Sequence, residues 1–203
     1  MAQERIALVP GKEDSVVEAA ATVLEAGGVL VFPTETVYGV GVVSGNARAL
    51  ERLRRLKQRD AAKPFQFLAA DVAMAQKLGA VFDGHARKLA RNFWPGPLTL
   101  VVPDGMEGGS TLGIRVPDSL FVEALCRRLG RAIVSSSANP GGQPPPLEAD
   151  AADVFGDEAD LLVDGGPVVG GAPSTVVKCD RDSYTVLREG EIGLETLRAA
   201  WEE

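Results

Sequence analysis

The sequence GGVLVFPTETVYGVG at residues 27–41 decides how the rest of the chain is interpreted. It begins with an uninterrupted apolar run, which is the pattern of a β-strand covered on both faces. Pro33 removes a backbone donor and ends the predicted strand, and a turn with the hydroxyl groups of Thr34, Thr36 and Tyr38 follows. Hydroxyl groups at the end of a buried strand suit hydrogen bonding to a ligand, whereas the alternative is an ordinary turn.

A basic segment, RLKQRDAAKP at residues 55–64, follows at the end of a predicted helix. Residues 48–63 contain seven Lys or Arg and two Asp or Glu, a local charge of +5 in a chain whose net charge is −7. Lys57, Arg59 and Lys63 can converge on phosphates or carboxylates, Arg through its planar fork and Lys as a point charge. The sequence therefore predicts a site for an anionic, phosphate-bearing ligand, with a solvated helix face as the alternative.

Alternating apolar strands and amphipathic helices extend along the 203 residues and predict a single α/β domain, residues 1–203, with a mixed sheet flanked by helices. Strands are predicted at residues 5–9, 29–33, 65–70, 98–103, 112–117, 131–136, 160–164, 174–178 and 183–188. The last two are expected to pair antiparallel. Helices are predicted at residues 14–25, 46–56, 71–78, 84–93, 118–129, 147–155 and 194–203. Their expected N-terminal caps include Asp14 or Ser15, Asn46, Asp71, and Asp118 or Ser119.

The overall composition is that of a globular protein, with 45% apolar and 24% charged residues. The negative net charge disfavours non-specific binding to nucleic acids. Cys126 and Cys179 are single and far apart, which predicts a reducing compartment without disulfides. Neither a signal peptide nor an apolar run long enough to span a membrane is found, so a cytoplasmic location is expected. The one histidine, His85, excludes a His-rich metal site and is expected on a helix surface.

Polar residues recur at the ends of the later predicted strands. Arg115 interrupts the apolar strand LGIRVP, and Thr111 is expected on the same face because side chains alternate along a strand. The segment SSSANPGG follows another strand, and residues 164–175 are rich in glycine, which lets backbone N–H groups approach a ligand. That stretch matches neither a Walker loop nor the GxGxxG fingerprint. Ligands of α/β proteins bind at strand ends, so we expect these groups to form one site.

Taken together, the motifs resemble the YrdC-like family, the threonylcarbamoyl-AMP (L-threonylcarbamoyladenylate) synthases of tRNA modification. PTETVYG, K-x-R with Lys-Pro, FWPGPLTLV, GIRVP, SSSANPGG, VDGG…STVV and LREGEI occur in the family's order over about residues 14–193. The resemblance is to the short, single-domain members, and it implies a twisted α/β sheet with a large concave cavity. It also implies a nucleotidyltransferase reaction in which L-threonine, bicarbonate and ATP give threonylcarbamoyl-AMP and pyrophosphate. A separate transferase complex then modifies adenosine 37 of tRNA.

The resemblance further implies a role for individual residues. Those expected to bind threonine and bicarbonate are Thr34, Arg115, Ser137 and Ser174. Those expected to bind the nucleotide are Lys57, Arg59, Lys63, Thr111, Asn139 and Arg188, with Lys57 and Arg59 also catalytic. No protein metal ligand is implied, and Mg²⁺ is expected to be held mainly by the phosphates.

The chain departs from the family pattern at two places. Gln66 lies in the segment FQFLAA, where some relatives carry a histidine that helps to bind threonine. Residues 144–146 are three prolines, where many relatives have a Ser-Pro-Thr segment that contacts ATP. These departures leave open a YciO-like paralogue, a nucleotide- or tRNA-binding protein with weak or different activity. A sugar-phosphate enzyme on a related fold, such as a dihydroxybutanone-phosphate synthase, is a third possibility.

Overall fold

One mixed β-sheet runs through the structure, a computed structural model that describes residues 3–58, 64–106, 109–180 and 183–202. The strands are β1 (Glu4–Ala7), β2 (Leu30–Phe32), β3 (Gly39–Val43), β4 (Gln66–Leu68), β5 (Leu98–Pro103), β6 (Thr111–Arg115), β7 (Ile133–Ser137), β8 (Leu161–Asp164), β9 (Thr175–Asp180) and β10 (Ser183–Arg188). The helices are α1 (Glu13–Glu25), α2 (Ala47–Leu56), α3 (Val72–Lys77), α4 (Gly84–Phe93), α5 (Leu120–Leu129), α6 (Ala149–Ala152) and α7 (Leu194–Glu202). The α/β prediction is therefore confirmed.

The strand order across the sheet is β1-β8-β2-β3-β7-β4-β6-β5-β9-β10. Parallel pairs (β1 with β8, β2 with β8, β4 with β6, β5 with β9) are mixed with antiparallel pairs, as predicted. The expected antiparallel pairing of β9 with β10 is confirmed, with a shift of register between Val186 and Arg188 that leaves Leu187 as an extra residue. Such a β-bulge is common at a sheet edge.

Both faces of the sheet are covered, as the apolar run at residues 27–41 predicted. Leu30 and Phe32 of β2 pack into a cluster with α1 and α5. Val31, between them, packs on the opposite side with Leu53 of α2. The alternation follows from the two-residue period of a strand. A third cluster places α4 and α7 against β5 and β9.

Strand β3 was not predicted from the sequence, although it lies in the middle of the sheet and all five of its residues are buried. Its glycines made the segment look like a turn. A Cβ atom added at Gly41 would lie 2.7 Å from the carbonyl oxygen of Val134 in β7, so the strand contacts its neighbour too closely for a side chain. Glycine marks a close backbone approach here rather than a break in the strand.

Three helices begin at the predicted caps, because the side chains of Asn46, Asp71 and Ser119 each accept a hydrogen bond from a backbone N–H three residues later. The predicted caps of α1 were wrong. That helix begins at Glu13, and Ser15 lies inside it with its hydroxyl donating to the carbonyl of Lys12. Helix α6 is shorter than predicted and is followed by a 3-10 turn at Gly156–Glu158.

The single histidine is not simply a surface residue. His85 is half-buried and stacks on Trp201 with 4.1 Å between the ring centroids, so it contributes to the contact of α4 with α7.

Both cysteines are free thiols and buried. Within the described ranges, no helix is both long and apolar enough to cross a membrane.

Candidate active site

A cavity of about 460 Å³ opens over the part of the sheet that extends from β7 to the edge strand β10. Its walls come from strands β4, β5, β6, β7, β9 and β10 and from the segments that precede β4 and β9. The polar side chains on its surface are Gln66, Thr99, Thr111, Arg115, Ser135, Ser136, Ser137, Ser174 and Arg188. Thr111, Gly113 and Arg115 all line the cavity, which confirms that Thr111 and Arg115 share one face of β6.

Arg115 places a buried positive charge in this cavity. The residue is 2% exposed. Its Nη2 lies 2.7 Å from Oε1 of Glu35, and its Nε donates to the carbonyl of Gly96 at 3.2 Å. Burial lowers the pKa of Arg115, and the Glu35 carboxylate opposes that shift. A buried cation is costly unless it is paired. Glu35 supplies one partner, and the same guanidinium borders an open cavity, where a carboxylate or phosphate of a ligand has access to it.

A chain of hydrogen bonds crosses the cavity floor from β10 to β4. Arg188 donates to the backbone oxygen of Ser174 at 2.7 Å and to its hydroxyl at 3.2 Å. The Ser174 and Thr99 hydroxyl oxygens are 2.9 Å apart, and Thr99 donates to Oε1 of Gln66 at 2.9 Å. Since guanidinium only donates, the chain runs from Arg188 towards Gln66. It fixes the positions of polar groups contributed by four different strands or strand ends.

Lys57 joins the end of α2 to the end of β7. It is 7% exposed, and its Nζ donates to the carbonyl of Ser137 at 2.7 Å and to that of Asn139. The Ser137 hydroxyl donates to Oδ1 of Asn139, whose amide nitrogen donates to the carbonyl of Gln143. Lys57 and Asn139 therefore contact the cavity residue Ser137 without lining the cavity themselves.

Thr34 is placed away from the cavity. Its hydroxyl donates to the carbonyl of Val37 at 2.6 Å and lies 3.0 Å from the hydroxyl oxygen of Thr36, so it closes the turn after β2. The side chain lines a separate groove of about 790 Å³, between the start of α1 and the start of α5. Arg59 and Lys63 lie outside the described residues. The cavity thus unites Thr111, Arg115, Ser137, Ser174 and Arg188 of the predicted site.

The glycine-rich stretch contacts the turn after β2. The Tyr38 hydroxyl donates to the carbonyl of Gly166 at 2.8 Å and accepts from the N–H of Gly165 at 3.1 Å, and burial raises the pKa of this phenol. A Cβ atom at Gly170 would lie 2.6 Å from the carbonyl oxygen of Glu35. Glycine is needed for this close packing, which positions the segment leading to Ser174.

Two residues of the site escaped the sequence analysis. Thr99 lies in the apolar strand LTLVVP, where threonine is also an ordinary β-strand residue. Glu35 lies in the PTETVYG turn after β2, but its partner Arg115 is 80 positions away. Among the described residues, no group of three or more His, Cys, Asp or Glu side chains is arranged to hold a metal ion.

Comparison with known proteins identifies the family of the chain. The family model Sua5_yciO_yrdC, described as "Telomere recombination", matches residues 22–190. The chain belongs to this family. It is 37% identical to the threonylcarbamoyl-AMP synthase of Bacillus subtilis over 92% of the chain and 56% of that protein. It is 39% identical to the synthase of Chromohalobacter salexigens over 80% of the chain and 91% of that protein.

Solved structures of the family share the fold. The structure of P. abyssi Sua5 complexed with L-threonine matches with a TM-score of 0.86 and 30% identity, over 97% of this chain and 60% of that one. The structure of E. coli YciO matches with a TM-score of 0.84 and 26% identity, over 97% of this chain and the full length of YciO. The chain thus spans little more than half of some relatives and all of others, and the expected YrdC-like fold is confirmed.

Proposed function

We propose that this member of the family is a threonylcarbamoyl-AMP synthase, a nucleotidyltransferase that uses L-threonine, bicarbonate and ATP. The observation that carries the proposal is the buried Arg115 in the wall of a polar cavity. A guanidinium recognises a carboxylate through its planar fork, which matches the carboxylate of an amino acid. Relatives named for this activity at 37% and 39% identity, and a relative solved with L-threonine, support the assignment.

The proposed mechanism relies on positioning and electrostatics. Arg115 binds the threonine carboxylate, while Ser174 and Ser137 orient the amino acid. Threonine and bicarbonate give N-carboxythreonine with loss of water. An oxygen of its new carboxylate forms a bond to the α-phosphorus of ATP, the bond from that phosphorus to the bridging oxygen breaks, and pyrophosphate leaves with the electron pair. No covalent bond to the protein forms.

The phosphates are assigned to three cations of the basic segment. Lys57, Arg59 and Lys63 neutralise the charge that develops on the phosphates. Lys57 also donates hydrogen bonds to the carbonyls of Ser137 and Asn139, so the same ammonium group carries the charge and connects α2 to the end of β7. The other nucleotide contacts are assigned to Thr111, Asn139 and Arg188. Mg²⁺ is assigned to the phosphates and water.

The product has a defined use in this proposal. Threonylcarbamoyl-AMP is an activated mixed anhydride, and a separate transferase complex would consume it to modify adenosine 37 of tRNA.

Thr34 keeps a proposed role in threonine binding through the turn to which it belongs. Its hydroxyl donates to the carbonyl of Val37, and Val37 lines the cavity.

The test is one incubation with ATP, bicarbonate and isotope-labelled threonine, followed by mass spectrometry. Threonylcarbamoyl-AMP and pyrophosphate are expected in equal amounts. Lys57→Ala should reduce pyrophosphate release by about 100-fold, the scale of removing one preorganised charge in a site. Arg55→Ala is the matched control, since Arg55 is an exposed cation two residues earlier that pairs with Glu51. Equal rates in both variants would contradict the assignment.

A YciO-like binding protein is the second candidate, and two observations favour it. The chain matches the full length of E. coli YciO. It also carries Gln66 and three prolines at residues 144–146, the two departures from the family pattern expected above. This alternative predicts adenylate or RNA binding with a steep dependence on salt and no threonine-dependent pyrophosphate. The same incubation separates the two candidates.

A further inference from the structure

The partner of Arg115 lies outside the cavity. Glu35 is placed by the turn after β2 and lines the separate 790 Å³ groove, whereas Arg115 lines the 460 Å³ cavity. Oε1 of Glu35 lies 2.7 Å from Nη2 of Arg115 and also accepts a hydrogen bond from the N–H of Asp118 at 3.0 Å. The Glu35 side chain is 22% exposed and that of Arg115 is 3% exposed. The ion pair therefore passes through the wall between two cavities.

The contacts of Arg115 use one edge of its guanidinium. Nε donates to the carbonyl of Gly96 and Nη2 faces Glu35. In the described part of the chain no residue forms a hydrogen bond with Nη1. An arginine side chain has several freely rotating bonds. The hydrogen bond of Nε to Gly96 and the ion pair of Nη2 with Glu35, a charge contact rather than a hydrogen bond, together restrict the plane of the group. This leaves Nη1 as the donor available to a ligand in the cavity.

We propose that Glu35 is a positioning residue for amino-acid binding, which holds Arg115 so that Nη1 is presented to the substrate carboxylate. The inference rests on the proposed function, because it takes the ligand of Arg115 to be the carboxylate of threonine. Glu35 acts only through Arg115, since it lines the groove and not the cavity. The carboxylate also opposes the effect of burial, which lowers the pKa of Arg115.

The test is a double-mutant cycle with Glu35→Gln, Arg115→Gln and the double variant. Glu35→Gln preserves the shape of the side chain and removes its charge. We expect it to raise the KM for threonine by about tenfold, a typical coupling between contacting groups. The KM for ATP is expected to change by less than about twofold, since Glu35 has no contact with the phosphate side. Glu13→Gln is the control, because Glu13 is exposed and lines the same groove.

The Arg115→Gln background separates positioning from a general structural effect. There, adding Glu35→Gln should change the threonine KM by less than about twofold, because the group through which Glu35 acts is gone. An unchanged threonine KM in Glu35→Gln, or independent effects in the cycle, would overturn the inference. Glu35→Asp keeps the negative charge on a side chain that is shorter by one methylene. We expect its KM for threonine to rise less than that of Glu35→Gln, because a carboxylate still faces Arg115.

Measuring threonine affinity by titration calorimetry distinguishes failure of the synthase assignment from failure of the positioning role of Glu35. A wild-type chain that binds threonine but makes no threonylcarbamoyl-AMP would overturn the synthase assignment, while a weaker affinity in Glu35→Gln would still support the positioning role. A wild-type chain that makes the product, with equal threonine affinity in wild type and Glu35→Gln, would overturn the positioning role alone.

Discussion

Replacing Tyr38 by phenylalanine tests how the glycine-rich stretch is attached to the site. The substitution keeps the buried ring and removes only the hydroxyl, which donates to the carbonyl of Gly166 and accepts from the N–H of Gly165. Tyr38 is fully buried, so both backbone groups lose a partner that water cannot easily replace. At about 1 kcal/mol for each hydrogen bond, the free energy of unfolding should fall by about 2 kcal/mol.

Urea unfolding of wild type and variant measures this change. The midpoint should shift at an unchanged slope, and Tm should fall by about 4–8 °C for a domain of this size. Tyr184→Phe is the matched control, because Tyr184 is the other tyrosine and its hydroxyl makes no hydrogen bond within the described ranges. We expect it to change stability by less than about 0.5 kcal/mol. Equal losses in the two variants would refute the reasoning.

Three further predictions follow from the fold. Gly41→Ala places a Cβ atom 2.7 Å from the carbonyl oxygen of Val134 and should cost about 1–3 kcal/mol in urea unfolding, whereas Gly141→Ala meets no atom within 4 Å and should be nearly neutral. Arg5 holds the pKa of Asp164 below its usual range. The ionised carboxylate therefore stabilises the fold fully above its unfolded pKa of about 3.9, and this stabilisation is lost as the pH falls through the folded-state pKa. The difference in Tm between wild type and Asp164→Asn should accordingly shrink from pH 7 to about pH 3. Burial raises the pKa of both cysteine thiols to about 12, so neither should react with a thiol reagent at neutral pH until denaturant is added, and rapid labelling of the native chain would contradict their burial.

Local signals predicted most of the secondary structure. Asn46 and Asp71 began helices as expected because a capping side chain acts on the next three residues. Strand β3 was missed because the close contact that requires glycine at position 41 is with the carbonyl of Val134, a residue more than 90 positions later. The predicted bounds of α6 were also wrong, since only Ala149–Ala152 form the helix.

The candidate site was predictable as a set of residue types but not as an arrangement. Arg115 stood out because a charge inside an apolar strand needs a partner, whereas Ser174 was named from the family resemblance. Their actual partners, Glu35 and Thr99, are distant in sequence and become neighbours only through the strand order of the sheet. The turn after β2 borders both the groove and the cavity, since Thr34 lines the groove and Val37 lines the cavity. The sequence alone does not tell which of the two spaces Thr34 faces.

The bulge in β10 has a consequence for how one wall of the cavity is composed. In a regular strand, adjacent side chains face opposite sides of the sheet, yet Leu187 and Arg188 both line the cavity. The extra residue between Val186 and Arg188 accounts for this, because it interrupts the alternation. At this edge, the hydrogen-bond register gives the cavity an apolar surface directly beside a cation. Insertion or deletion of one residue in β10 would therefore exchange the groups that face a ligand without changing the identity of any of them.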